Sequence, residues 1–181
     1  DETLVRPEKR VIAPHLQMSD KQNENLQNIQ DLLNGVETVD GMAGMTEKGK
    51  ADDGAFLKAS TYSVSNSISP YFISEYTKEI PTAKQLVADS PKIEFSLEVA
   101  KIVKANPKTK GYGIFLFFGK NGVDYHPMLA EHFAKELGYK PSEVAYLSGS
   151  KISDERKDEI VEQFNAGEIK VLIGGDQPKE G

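Results

Sequence analysis

"YGIFLFFGKNGVDYHPMLAEHFAKELGYKPSEVAYLS" (residues 112–148) decides the fold. Its first seven residues, 112–118, are a short apolar run, the pattern of a strand buried on both faces. Residues 126–137 follow with Leu129, Phe133 and Leu137 on one helical stripe and Gly138 after them as terminator. Residues 144–148 read as a second strand. Strand, helix and strand in this order predict a right-handed crossover and parallel pairing.

The same alternation continues towards the C-terminus. Ser153 caps a predicted helix over 154–165, where Asp154 and Glu155 suit the positive end of the helix dipole. Ile160, Val161 and Phe164 are expected to face inward, and "IKVLI" (169–173) forms a third strand. On the other side, Ser90-Pro91 opens a helix whose inner face is Ile93, Leu97 and Ala100, widened by Val99 and Val103. Asn106-Pro107 ends it. Residues 90–181 are therefore an α/β domain, a parallel sheet with helices on both faces. A sheet of three strands is small, so further strands are expected beyond Gly181.

Residues 1–89 read as a helical, partly flexible N-terminal segment. Val11 to Met18 is extended, and Ser19 with Gln22 makes a capping box. Leu26, Ile29 and Leu33 recur at helical spacing before Gly35. Glycines at 35, 41, 44, 49 and 54 mark residues 35–54 as a long flexible loop. A second helix is expected from Ala55 to Ser67, ending near Ser69-Pro70.

Composition limits the function. The 181 residues hold 28 acids and 22 bases, a net charge of −6, which argues against a protein that coats nucleic acid by itself. No cysteine is present, so disulfides and thiolate metal sites are excluded and a reducing, cytoplasmic setting fits. No apolar run reaches membrane-spanning length. The first residue is Asp rather than Met, so a longer parent chain is expected.

In an open parallel sheet, ligands bind at the carboxyl ends of the strands. Three stretches follow those ends here: "FFGKNG" (117–122), "LSGS" (147–150) and "IGGDQPKEG" (173–181). Their glycines and serines let main-chain amides approach a ligand, and "LSGS" precedes a helix N-terminus suited to phosphate. Ordinary turns between strand and helix favour the same residues, so spacing alone leaves both readings open.

The ordered set of motifs resembles the second RecA-like lobe of superfamily-two helicases. "LSGSKISDERKDEIVEQFNAGEIKVLIGGDQPKEG" is similar to that family's Gly, helix with a basic residue and Phe, strand, Ala-Thr-Asp, and Glu-Gly or Arg-Gly. "IFLFFGKNGVDYHPMLAEHFAKELG" resembles its motif four. "EKRVIAPHLQMSDKQNENLQNIQDLL", "STYSVSNSISPYF" and "SPKIEFSLEVAKIV" resemble segments of SWI/SNF-type translocases. The closest resemblance is to the helicase lobe of large bacterial mobile-element proteins that also carry an adenine-specific DNA methyltransferase.

The resemblance implies an ATP-dependent DNA helicase or translocase that works with a first RecA-like lobe, ATP and Mg2+. It implies nucleic-acid contacts at Ser148, Gly149, Ser150, Gly174 and Gly175, and an ATP cleft near Asp176, Glu180 and Gly181; Lys120 suits either a DNA contact at the first strand end or a solvated turn. Gly175 stands where the family has Thr, which removes a hydroxyl but leaves an amide. The family's basic helix position falls on Arg156 counting from Gly149, or on Lys157 counting back from Phe164; the guanidinium suits phosphate better. Lys179 is a further phosphate candidate, although exposed lysines are usually only solvated.

The chain ends inside the family's motif V and holds no G-x-x-x-x-G-K-[ST] phosphate loop, so it is not expected to hydrolyse ATP alone. Other readings compete. His126 and His132 lie six apart on opposite sides of a helix, a poor metal pair. Phe117 and Phe118 suit either base stacking or the core. A non-catalytic interaction domain would use the glycine-rich segment and the acidic surface.

Overall fold

The structure, a computed structural model, describes residues 13–34, 53–77, 80–109, 113–117, 124–148 and 152–175. Helices α1 (Asp20–Asn34), α2 (Asp53–Ile68), α3 (Ala83–Ala88) and α4 (Pro91–Ala105) precede strand β1 (Ile114–Phe117). Then come α5 (His126–Leu137), β2 (Val144–Leu147), α6 (Asp154–Asn165) and β3 (Val171–Gly174). The protein is thus mixed α/β with a small parallel sheet of order β1-β3-β2. In the two common doubly wound orders the first and second strands are neighbours. Here the third lies between them.

Helices cover both faces. On one side α4 and α5 bury Ile93, Leu97, Ala100, Leu129, Phe133 and Leu137 against Leu116, Val144, Val171 and Ile173. On the other, Ile160 and Phe164 of α6 pack on Leu147, Ile169 and Leu172. Tyr71, Phe72, Leu86 and Val87 join the first of these cores, so packing is continuous across residues 89 and 90. Gly113 explains how closely α6 approaches: a Cβ there would stand 2.3 Å from the Phe164 ring.

Two expected positions fail on this second face. Val161 points outward at 42% exposure, because Ile160 and Phe164 already face the sheet. Phe115 is also 42% exposed, so β1 is not buried on both sides. Among the described residues β1 is an edge strand, and the core that α6 forms lies over β2 and β3.

The helix ends follow local chemistry. Ser153 Oγ accepts the Arg156 amide at 3.3 Å, and Gly138 closes α5 at φ 61°, ψ 37°. A β-carbon is unfavourable in that left-handed conformation by about 1–2 kcal/mol. Gly138→Ala is therefore expected to lower stability by roughly 1 kcal/mol, read as a shift of the urea midpoint with unchanged slope.

The N-terminal helices are tied by amides. Ser19 and Gln22 make the reciprocal cap, with Ser19 N–H donating to Gln22 Oε1 at 3.0 Å and Gln22 N–H to Ser19 Oγ at 3.3 Å. Gln22 Nε2 donates to Asn66 O at 2.6 Å, and Asn66 Nδ2 returns to Gln22 O at 2.8 Å. Asn25 donates to Asn66 Oδ1 and Pro70 O. This buried network sets the inner face of α1 as Gln22, Asn25, Ile29 and Leu32, so Leu33 is exposed. Helix α2 starts at Asp53 and takes in Gly54, the last glycine of the expected loop. The remainder of that loop, 35–52, lies outside the described residues. Among the described residues no helix is long and apolar enough to cross a membrane.

Candidate functional site

Parallel pairing brings the strand ends to one edge. Phe117, Gly174 and Leu147 occupy the same register across β1, β3 and β2. At this edge a cluster forms from the residue after β2 and the start of α5. Ser148 is buried at 4% exposure, and its hydroxyl donates to Asp124 Oδ2. Asp124 Oδ1 accepts the His126 main-chain N–H at 3.1 Å and meets His126 Nδ1 at 2.6 Å. His126 itself is buried.

Burial pushes the Asp124 carboxyl upward, but the Ser148 hydroxyl and the ring and amide of His126 outweigh it and hold the group below its ordinary value. The order of the three groups limits their chemistry. A nucleophilic triad needs the imidazole between hydroxyl and carboxylate. Here the carboxylate lies between them, so this geometry gives Ser148 no imidazole base. Asp124 instead clamps the end of β2 to the first turn of α5. The sequence carried a signal for this clamp, an acid two residues before a histidine at a helix start. The partnership with Ser148, 24 residues away, was not visible in it.

The other predicted residues fall in different places. Gly174 ends β3, and the buried Gly175 donates its amide to Leu147 O at 3.3 Å, so that amide serves the sheet. Arg156 is exposed on α6 and pairs with Glu159 at 2.7 Å, while Lys157 pairs with Asp154 at 2.7 Å. The Lys157 hydrogen bond and charge draw the Asp154 carboxyl below its usual value. The first turn of α6 is capped by Ser153, as expected, and carries Asp154 and Glu155, so "LSGS" precedes a helix start that already holds two acids. His132 lies half-buried on α5. Lys120, Gly149, Ser150, Asp176, Lys179, Glu180 and Gly181 lie outside the described residues, as do Phe118 and the Phe117 side chain.

No protein-family model, curated protein or solved structure matches the chain.

Proposed function

We propose that the chain belongs to an ATP-dependent DNA helicase or translocase of the cytoplasm, as the lobe that grips nucleic acid. In this reading ATP and Mg2+ bind mainly to a first RecA-like lobe, and this lobe closes over them in each cycle. The supporting observation is the shared register of Phe117, Gly174 and Leu147, which makes the chain leave all three strands at one edge. Ligands of open parallel sheets bind at that edge. Net charge −6 does not oppose a local grip, since main-chain amides also hold phosphates.

A second reading is a non-catalytic interaction domain. It is favoured by groups already engaged within the chain: the Gly175 amide with Leu147, the Ser148 hydroxyl with Asp124, and Arg156 with Glu159. ATP hydrolysis by the full-length parent, measured with and without duplex DNA, separates the two. The motor reading expects stimulation by DNA, lost in Gly149→Asp, which brings a carboxylate to the expected phosphate contact. A folded parent that hydrolyses no ATP under either condition leaves the interaction domain.

A further inference from the structure

Residues 147 and 148 link the connections that leave all three strands. Leu147 O accepts the Gly175 amide at 3.3 Å, which holds the first residue after β3. The Ser148 hydroxyl donates to Asp124, which stands two residues before α5 at the far end of the connection from β1. Asp124 uses both carboxylate oxygens. Oδ2 accepts from Ser148, while Oδ1 accepts the His126 main-chain N–H at 3.1 Å and meets His126 Nδ1 at 2.6 Å. The Asp124 side chain is only 16% exposed, so the carboxylate is fixed from two sides and largely shielded from water.

This arrangement changes what Ser148 can do. A serine hydroxyl has one proton to donate, and that of Ser148 goes to Asp124 rather than to a phosphate. Gly149 and Ser150 follow directly in the sequence and carry the next main-chain amides. An amide lies in a rigid peptide plane and cannot swing towards its ligand as a lysine side chain does. Its aim is set by whatever anchors the chain beside it, and hydrogen bonds weaken steeply once misaligned.

We infer that Asp124 is a positioning residue of the nucleic-acid grip: through the Ser148 hydroxyl it fixes where the chain leaves β2, and so aims the amides of Gly149 and Ser150 at the phosphates of a DNA strand. The role rests on the motor reading proposed above and adds to it the group that orients its main-chain contacts. The sign of the effect separates aim from charge. Removing an acid beside a phosphate track strengthens DNA binding on charge alone. Removing an anchor weakens it.

The test measures the Kd of the full-length parent for a fluorescently labelled DNA duplex with a single-stranded overhang, by anisotropy, at a temperature where every variant is folded. Asp124→Ala and Ser148→Ala are each expected to weaken binding about tenfold, the size of one lost hydrogen bond to a charged group. The double variant is expected to bind no more weakly than Asp124→Ala, because both changes break the same link. Leu97→Ala, in the core on α4, also lowers stability and is expected to keep the parent's affinity. A parent that binds this DNA while Asp124→Ala binds it equally or more tightly overturns the proposal and leaves the motor reading standing. Equal weakening in Leu97→Ala also overturns it, because the loss then follows stability rather than aim. A folded parent that neither binds the duplex nor hydrolyses ATP faster in its presence sinks the motor reading, and the role of Asp124 with it.

Discussion

Phe133→Ala is expected to cost about 3–5 kcal/mol of stability. The ring is fully buried at 0% exposure in the core where α4 and α5 meet the sheet. Its removal takes away transfer energy and leaves a cavity that packed neighbours on several elements cannot close together. Domains of this size are stable by only roughly 5–15 kcal/mol, so the loss is a large share of the total. Urea unfolding reads it as a lower midpoint at unchanged slope. Val161→Ala, on the exposed side of α6, is the matched control and should stay within about 0.5 kcal/mol of the parent. Similar midpoints for the two variants would contradict the packing of α5.

Asp124→Ala is expected to cost about 2–4 kcal/mol, since charge-assisted hydrogen bonds are worth more than neutral ones and buried partners lose them together. The Ser148 hydroxyl and His126 ring both depend on this carboxylate. The pH dependence has a definite sign. The folded carboxyl lies below its unfolded value of about 3.9, so its stabilisation is fully present above that pH. It is lost as pH falls through the lower folded value. The stability gap between parent and Asp124→Ala should therefore shrink as the pH falls below about 4. A double-mutant cycle with Ser148→Ala should show coupling of about 0.5–3 kcal/mol. Additive losses would mean that the clamp does not hold the two elements together.

The elements that could be read from sequence are those whose ends are set locally. Residues 126–137 and 154–165 were expected as helices and are α5 and α6, because Gly138 and Ser153 act within one turn of the boundary. Helix α3 escaped notice because six residues are too few to display a period, although its Thr82–Gln85 capping box was present. Facing directions were less legible. Leu33 and Val161 fit a helical stripe, yet partners distant in sequence decided which part of each stripe was buried, Asn66 for α1 and the sheet for α6. Strand order left no local trace, so Phe115 looked like a core residue and lies on an edge strand. At the candidate site, the position of Ser148 after a strand was legible, but its hydrogen bond to Asp124 was not. Nor was Asp124, because its role depends on a contact across the crossover.

The place of β3 also sets the order of events during synthesis. β1 and β2 leave the ribosome before β3, but they do not touch one another among the described strands. Each waits for residues 171–174, the last strand in the described chain, to enter between them. Helices α4 and α5 can form from their own turns, whereas pairing of β1 and β2 within the sheet requires β3, which follows them across the α5 and α6 crossovers. A nascent chain halted near residue 165 would hold two unpaired strands with nothing between them, a form prone to aggregation and a natural target for chaperones.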